Sequence, residues 1–428
     1  MNIVHRARQF VQSLREQAHR SVWDWRRCPY CGGTHTCGWG SYQRRPWTLE
    51  GRQSVRIPRH RCYPCHRTYS EQNPWLVRRS WYAREVHRCA IDFWQHGGTS
   101  LRRAAEFVRS FIGRQERYLL WCISAVRPAK EECHLAASTV HRWLDRAGRE
   151  AERTLPGQLE GIGSSGCMGT DGLWARLRGG TKAVLLALVD NATGLLWPPV
   201  VVAGEESEQS WREMLERAVG AGFDLDRLRG VVSDGANGLI GCLHEMAKWA
   251  NQQRCVWHLW RKLGGELARQ VSKVGVGLFG AAAKAARGRV RRELAALIHA
   301  VLDARSQEEA ETALVQLRAH QLGAGLARQL EECLDAALIH LNAYNRGLAR
   351  VAPEWLWRDF RLRLSRGRNH GTGVRLERAA LVWAIYHNFT PAQSRCERKR
   401  RYRRPGQSPL EVAGVPPGEI SYLDALAV

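Results

Sequence analysis

The sequence lacks any long apolar run. No stretch approaches the roughly 18 to 20 uncharged apolar residues that a membrane-spanning helix requires. The first twenty residues mix Arg, His and Glu, and they lack the apolar stretch and the small-residue cleavage site of a secretory signal. We therefore expect a cytoplasmic protein with no membrane partner.

Acidic residues are scarce relative to basic ones. The chain has 41 Asp and Glu against 65 Lys and Arg, which leaves a formal net charge of +24 at pH 7. A GC-rich genome explains a preference for Arg over Lys, but it does not explain a surplus of bases over acids. This charge is far above what solubility needs, so it predicts a polyanionic partner, and nucleic acid is the first candidate.

Disulfides are not expected, although the chain has 13 cysteines, because these are spread over 428 residues without a secretion signal. Four of them form two C-x2-C pairs, Cys28 with Cys31 and Cys62 with Cys65. Each pair places two thiolates where one tetrahedral Zn²⁺ can bind both. Strand-like patterns at residues 47–49 and 54–57 lie between the pairs, so we predict a zinc ribbon.

The zinc ribbon is rich in arginine. Arg44, Arg45, Arg56 and Arg59 lie between the two cysteine pairs and predict contact with DNA phosphates. The alternative is that zinc only folds this segment, which has too little apolar sequence to fold alone.

A second DNA-binding element is predicted by a helix that begins near Ala137, with an earlier helix around residues 99–105. Its exposed positions would carry the side chains that face the major groove, namely Ser138, Thr139, His141 and Arg142. The segment between the two helices is longer than a compact helix-turn-helix allows, so an ordinary amphipathic helix is the alternative. Leu155-Pro156-Gly157 predicts that a loop follows.

The middle of the chain mixes strands and helices. A first strand is predicted at Asp171, and an apolar run at 183–189 follows the hairpin signal Gly179-Gly180. A third strand at 200–202, a helix at 211–219 and a fourth strand at 230–233 are predicted after it. This order is the first half of an RNase H-like sheet. An all-helical insertion follows, in which one face carries Leu294, Leu297, Ile298, Val301 and Leu302.

A chain of this length should contain several cores, and we predict an α+β multidomain fold. The expected segments are a zinc ribbon over 1–80, a helix-turn-helix-like region over 81–160, the first part of an RNase H-like core over 161–262, an all-α insertion over 263–365, and the rest of the core with a basic tail over 366–428.

Acidic residues at strand ends are candidates for catalysis. Asp171 opens the first strand of the middle region, Asp234 ends a later strand, and Glu377 lies on a helix beyond the insertion. Converging carboxylates of this kind hold the two metal ions of phosphoryl transfer in nucleic acids. A lone Asp after a strand is usually a turn or cap residue, so the three residues are informative only together.

The segment Ser233-Asp234-Gly235-Ala236-Asn237-Gly238-Leu239, followed downstream by Cys255-Val256-Trp257-His258, resembles the second-Asp region and C-x2-H signature of Mutator-like transposases and their bacterial insertion-sequence relatives. The resemblance implies a DDE transposase that uses Mg²⁺ or Mn²⁺ to cleave DNA and transfer strands. It also implies binding to terminal inverted repeats and target DNA in the bacterial nucleoid, as a homodimer or larger assembly.

For the third acid, the segment Thr372-Gly373-Val374-Arg375-Leu376-Glu377-Arg378 is similar to the family segment in which Thr-Asn-Asn precedes a Glu. Both asparagines are missing here. Glu377 is the predicted third acid, with Glu354 and Glu397 as alternatives. Cys255 and His258 form only half of a metal site, so we expect a structural or DNA-positioning role for them.

Two other functions compete with a transposase. One is a domesticated descendant that still binds DNA in a sequence-specific way but has lost catalysis, against which the acids at all three positions argue. The other is an RNA nuclease on the same fold, which would not need two DNA-reading modules.

Overall fold

The computed structural model describes residues 25–112, 133–275, 277, 279–366, 371–391, 406–415, 421–426 and 428. About half of these residues are helical, and the fold mixes α and β structure. The basic tail at 395–404 and the alternative acid Glu397 lie outside the described residues. Within the described residues, no helix is both long enough and apolar enough to cross a membrane.

The chain divides into two compact units, and residues up to Ala147 belong to the first. This unit begins with the strands β1 (Thr36–Arg44), β2 (Trp47–Thr48), β3 (Gly51–Arg52), β4 (Val55–Cys62) and β5 (Thr68–Ser70). An antiparallel sheet has the order β1-β4-β5, and β2 pairs with β3 in a separate hairpin. The long strand β1 was not predicted, because its residues alternate between glycine, polar and aromatic types without an apolar face.

Helices follow the strands in the first unit: α1 (Arg84–Gly97), α2 (Leu101–Phe111) and the start of α3 (Ala137–Leu159). Ser100 caps α2 by accepting a hydrogen bond from the Arg103 amide, and this confirms the helix predicted there. The imidazole of His87 stacks on the indole of Trp143, with ring centroids 3.7 Å apart.

The loop predicted at Leu155-Pro156-Gly157 is wrong, because α3 continues through Pro156 to Leu159. Proline removes one backbone donor from a helix but does not end it when packing holds both sides. Leu155 and Leu159 are fully buried, so the last turns of α3 stay helical.

A five-stranded sheet is the centre of the second unit. Its strands are β6 (Cys167–Arg176), β7 (Lys182–Asp190), β8 (Val200–Ala203), β9 (Gly230–Ser233) and β10 (Asn251–Arg254), in the order β10-β9-β6-β7-β8. The strands β6, β7 and β8 are antiparallel, whereas β9 is parallel to β6 and β10 is parallel to β9. The helices α4 (Glu208–Gly220) and α5 (Asn237–Met246) connect β8 to β9 and β9 to β10.

The predicted core strands are present because their apolar runs are buried. β7 is buried over all but its first residue, as a strand covered on both faces should be. β10 was not predicted. Its sequence, Asn-Gln-Gln-Arg, carries no apolar signal, and its place in the sheet depends on pairing with β9.

The predicted helical insertion consists of α6 (Val256–Ser272), α7 (Gly280–Leu302), α8 (Gln307–Ala319), α9 (Ala324–Glu331) and α10 (Leu334–Leu338). These helices bury a core of their own, in which Leu294, Ile298, Val301 and Leu302 are inaccessible and Leu297 is partly buried, as predicted. Gln253 on β10 connects the sheet to this insertion, because its side-chain amide donates to the Ala337 carbonyl (2.6 Å) and its oxygen accepts from the His340 amide (2.8 Å).

The chain then returns to the sheet through α11 (Glu354–Arg366) and α12 (Gly373–Phe389), and the short helices α13 (Pro409–Val412) and α14 (Tyr422–Ala425) follow. α12 packs against β8. Near the end of α12, the Asn388 side chain exchanges two hydrogen bonds with the backbone of Leu196, at 2.9 and 2.8 Å. A helix buried on most sides therefore covers the β8 edge of the sheet.

Candidate metal centres

The two cysteine pairs converge at one point of the first unit. The Sγ atoms of Cys28 and Cys65 lie 3.7 Å apart, and those of Cys31 and Cys62 lie 3.5 Å apart. All four sulfur atoms fall within 4.8 Å of one another. Four sulfurs at Zn–S distances of about 2.3 Å around a tetrahedral ion are about 3.8 Å apart. The cluster can therefore hold a zinc ion with little rearrangement.

The first cysteine pair has the backbone of a metal-binding turn. The Cys28 amide donates to the Gly33 carbonyl and the Gly32 amide donates to the Cys28 carbonyl, both at 2.9 Å. Burial raises the pKa of the Cys28 thiol, but the backbone amides of Tyr30 and Cys31 outweigh burial and lower the pKa to about 7. These amides favour the thiolate form, which is the form that binds zinc.

The predicted DNA-contacting arginines of the ribbon differ in solvent exposure and in their hydrogen-bond partners. Arg45 and Arg56 are exposed, and the Arg56 guanidinium donates to the Ser41 hydroxyl. Arg59 is half-buried and donates to Thr68. Arg44 donates instead to the backbone carbonyls of Val77 and Ser80, which gives it a structural role in the ribbon.

The predicted recognition residues lie in the first turns of α3. Ser138 and Arg142 are exposed, whereas Thr139 and His141 are half-buried. The Arg142 guanidinium donates to the Thr139 hydroxyl at 3.2 Å. Residues 113–132, which separate α2 from α3, lie outside the described residues, so the recognition role stays a prediction.

Two of the predicted acids lie on adjacent parallel strands, although Asp171 lies in the middle of β6 and does not open it, whereas Asp234 directly follows β9 as predicted. Gly169 on β6 pairs with Val232 on β9, and Asp171 and Asp234 each lie two residues further along. Since side chains two residues apart share one face of a strand, both carboxylates lie on the same face at the same edge of the sheet. Asp234 is held by a turn in which its carboxylate accepts from the Ala236 amide (2.9 Å).

A close approach explains the glycine after Asp234. Gly235 has a φ of +83°, and a Cβ there would lie 1.6 Å from the Arg254 guanidinium. That guanidinium donates to the Gly235 carbonyl at 2.9 Å. Arg254, the last residue of β10, therefore clamps the turn that presents Asp234.

Glu354 is the third acid that the structure brings to this edge. Ligand atoms of Asp171, His258 and Glu354 lie within 4.8 Å of one another. Asp171 is only 7% exposed, and its carboxylate accepts from the Gly172 amide (2.9 Å). His258 Nε2 lies 3.0 Å from a Glu354 carboxylate oxygen.

Charge crowding changes the proton affinities in this cluster. Burial, followed by repulsion from Glu354, raises the pKa of Asp171 to about 8. The hydrogen bond from His258 lowers the pKa of Glu354. Burial lowers the pKa of His258, but hydrogen bonds to Cys255 and Glu354 outweigh burial and raise it to about 10. The cluster thus brings carboxyl groups together at a buried point, where a divalent cation would stabilise their ionised forms.

Glu206 is a fourth acid of this edge that the sequence did not reveal. It follows β8, and its carboxylate lies over Gly172, where an added Cβ would be 2.2 Å from the carboxylate oxygen. Burial and the charge of Asp234 raise the pKa of Glu206 to about 7. No motif marks this residue, because it lies in a loop that only the pairing of β6 with β7 and β8 brings near Asp171.

The predicted third acid, Glu377, lies elsewhere. One carboxylate oxygen pairs with the Arg217 guanidinium on α4, and the other accepts from the Val201 amide on β8 at 2.9 Å. β8 is separated from β6 by β7, so Val201 lies roughly 10 Å across the sheet from β6 at a strand spacing of about 4.8 Å. Glu377 therefore attaches α12 to the sheet edge opposite β10.

The acidic residues suit a hard cation. Carboxylate oxygens are the protein ligands that Mg²⁺ and Mn²⁺ prefer, and Asp171, Asp234 and Glu354 can supply them from three different elements. Burial and then repulsion from Glu354 raise the pKa of Asp171, and a bound cation would offset both by stabilising the ionised carboxylate. The residues present fit Mg²⁺ or Mn²⁺.

Comparison with known proteins bears on this site. Residues 178–323 match a family model described as transposase, Mutator family. The match supports a Mutator-like transposase. It covers about a third of the chain and confirms the resemblance read from Asp234, Cys255 and His258. Among curated proteins, none matches the chain.

A Mutator-like transposase is an enzyme of DNA transposition. The matched segment contains Asp234 and the C-x2-H pair of the candidate site. Asp171 lies before it and Glu354 after it. These two acids are therefore assigned to the site by the tertiary structure, independently of the family match.

Proposed function

We propose that the chain is a DDE-type DNA transposase in which Asp171, Asp234 and Glu354 hold two divalent cations, Mg²⁺ or Mn²⁺. The convergence of these acids at one edge of the sheet carries this proposal. Glu354 takes the place of Glu377 as the third acid, because Glu377 is engaged by Arg217 and Val201.

The sheet supports an RNase H-like catalytic core. Three antiparallel strands, β6 to β8, precede two strands that are parallel to β6, and the order β10-β9-β6-β7-β8 places β6 at the centre. This arrangement resembles the RNase H-like fold, in which acids project from the central strand and from its parallel neighbour. The helices α6 to α10 lie between β10 and α11, so the proposed insertion separates the second acid from the third.

Cations bound at this site would activate the attacking oxygen and stabilise the leaving oxygen of a phosphodiester. Asp171 and Asp234 hold fixed positions because strand pairing and turns set their backbones. Glu354 begins a helix and is restrained by His258. We propose that water and then a DNA 3′-hydroxyl act as nucleophiles, without a covalent protein–DNA intermediate.

Recognition of the element ends is assigned to the first unit. The zinc ribbon exposes Arg45 and Arg56, and the first turns of α3 expose Ser138 and Arg142. The chain's net charge of +24 supports contact with phosphates along a duplex. Because two element ends must be joined, we propose that the active form is a dimer or a larger assembly on DNA.

The test uses duplexes copied from the DNA that flanks the coding region. We expect the full-length protein to cut them in Mg²⁺, and Asp171→Asn and Asp234→Asn to lower the rate by about a thousandfold or more with DNA binding retained. Asp226→Asn is the matched control, because Asp226 is exposed in a turn between α4 and β9. Cleavage that survives in both site variants would overturn the proposal, and binding without any cleavage by the wild type would favour a descendant that has lost catalysis.

A further inference from the structure

The C-x2-H pair lies where the chain returns from the helical insertion to the sheet. Three contacts join the two segments at alternate residues of the returning chain. The Val256 amide donates to the Arg350 carbonyl at 3.0 Å. The Ala352 amide donates to the Cys255 sulfur at 3.2 Å. His258 Nε2 meets the Glu354 carboxylate at 3.0 Å.

Cys255 is placed to hold the backbone of the returning segment. It is fully buried and begins α6 as its N-cap residue, directly after β10. It packs in an apolar cluster with Val232 and Ala352. Within the described part of the chain, Cys255 belongs to no group of three potential metal ligands. A thiol of this size satisfies the Ala352 amide without placing a hydroxyl in apolar surroundings.

Residues 350–354, which return from the insertion, also pack closely against β6. A Cβ on Gly169 would lie 3.1 Å from the Pro353 ring, which is tighter than most packed contacts. Gly169 precedes Asp171 by two residues on the same strand, so Pro353 sits against the strand that carries the first acid. Glu354 follows Pro353 and begins α11, which leaves its carboxylate facing Asp171.

We propose that Cys255 and His258 are positioning residues that latch residues 350–354 onto the sheet and so hold Glu354 against Asp171. This inference rests on the proposed role of Glu354 as the third acid. Cys255 acts through the Ala352 amide and His258 through the Glu354 carboxylate. An acid that follows a long insertion would otherwise sample many positions, and groups that orient a metal ligand change metal affinity by about 10- to 100-fold.

The first measurement tests whether Cys255 and His258 hold residues 350–354 in place, and it needs neither metal nor DNA. Amide hydrogen exchange of the peptide that covers residues 350–354 should become faster in Cys255→Ala and His258→Ala, and should remain at the wild-type rate in His244→Ala. His244 is the matched control, since it is exposed on α5. Cys255→Ser, which keeps an acceptor for the Ala352 amide, should restore much of the protection. Unchanged exchange in both alanine variants would overturn the latch.

The second measurement follows Mn²⁺ bound by the zinc-loaded, full-length protein, detected by electron paramagnetic resonance. We expect His258→Ala to raise the Mn²⁺ dissociation constant about 10-fold or more, and His258→Gln, which can still donate to Glu354, to restore part of the affinity. In a Glu354→Ala background, His258→Ala should add nothing further, because it acts through Glu354. A further loss in that background would identify His258 as a ligand itself and would overturn the positioning role.

The two measurements separate the latch from the proposed function. If exchange accelerates as expected but Asp171→Ala leaves Mn²⁺ affinity unchanged, the latch exists and the assignment of the acids to a cation site is wrong. If Asp171→Ala abolishes Mn²⁺ binding while exchange and affinity are unchanged in the Cys255 and His258 variants, the cation site stands and the latch is wrong.

Discussion

Asp171 and Asp234 occupy matching positions on neighbouring parallel strands, each two residues beyond the paired residues Gly169 and Val232. Strand pairing thus sets the relation between these two acids. The proposed third acid, Glu354, comes from outside the sheet and begins a helix that follows the insertion. The candidate site is therefore assembled from the middle of β6, the turn after β9 and the start of a helix.

The identity of the third acid is the first prediction. Glu354→Gln should reduce cleavage as strongly as Asp171→Asn, since both remove a charge from the same cluster. Glu377→Gln should cleave at close to the wild-type rate and lower the free energy of unfolding by about 1–2 kcal/mol, because it weakens the attachment to Arg217. Cleavage rates and thermal melting of both variants check this. Full activity in Glu354→Gln together with loss in a folded Glu377→Gln would restore Glu377 as the third acid.

The second prediction concerns pH. The pKa of Asp171 is raised from 3.8 to about 8 in the folded protein, so the folded state binds this proton more tightly than the unfolded chain. Stability in buffer without Mg²⁺ or Mn²⁺ should therefore fall as pH rises from about 4 to about 8. Asp171→Asn cannot ionise, so its melting temperature should be a few degrees above that of the wild type at pH 8 and should fall less over this range. If the melting temperatures of the two proteins changed equally between pH 5 and pH 8, the raised pKa of Asp171 would be contradicted.

His258 adds to the same trend at higher pH. Its pKa is raised from 6.5 to about 10, so its contribution to stability is complete below about pH 6.5 and is lost as pH rises towards 10. Added Mg²⁺ should reduce the fall in stability between pH 4 and pH 8, because a bound cation stabilises the ionised form of Asp171.

Zinc removal is the third prediction. Protein purified without chelator should contain one zinc per chain, and Cys31→Ser should lose it, because four sulfurs within 4.8 Å match one tetrahedral ion. The ribbon should then unfold while the second unit keeps its melting transition. Cys37→Ser is the control, since Cys37 lies outside the four-sulfur cluster. Elemental analysis that finds no zinc in the wild type would rule out the zinc ribbon.

Glu206 supplies the fourth prediction. Its carboxylate lies over Gly172 beside Asp171, so Glu206→Gln should raise the Mn²⁺ concentration needed for half-maximal cleavage by about 10-fold. The neighbouring Glu205→Gln, whose side chain is exposed, should have no effect. Identical Mn²⁺ titrations of the two variants would exclude Glu206 from the site.

The fifth prediction separates two kinds of arginine in the ribbon. Arg45→Ala and Arg56→Ala should weaken DNA binding and each reduce the slope of log affinity against log salt by about one, as loss of a phosphate contact does. Arg44→Ala should instead destabilise the ribbon, because Arg44 donates to the carbonyls of Val77 and Ser80. Binding and melting measured at several salt concentrations check both effects, and an Arg44 variant with normal stability would contradict the structural role.

Much of the architecture could be predicted from local sequence. The spacing of the cysteine pairs predicts a four-sulfur cluster that could hold zinc, and the apolar runs of β7, β8 and β9 predict buried strands from local sequence alone. The apolar face of α7, with Leu294 and Ile298, has helical periodicity that needs no tertiary information. Asp171 and Asp234 could be proposed as a pair because the sequence places each beside a predicted strand, although Asp171 lies inside β6 and does not open it.

Other features depend on residues far apart in the chain, and only the tertiary structure decided them. β10 has polar residues and exists because β9 pairs with it, and α3 continues through Pro156 because packing holds its last turn. The segment around Glu377 resembles a family motif, yet its carboxylate is taken by Arg217 and Val201. Glu354 lies near Asp171 because the helices of the insertion pack into one core and the chain that follows them contacts Cys255 and His258. Spacing along a sequence reports local backbone geometry, whereas the position of an acid beyond a long insertion depends on how that insertion packs.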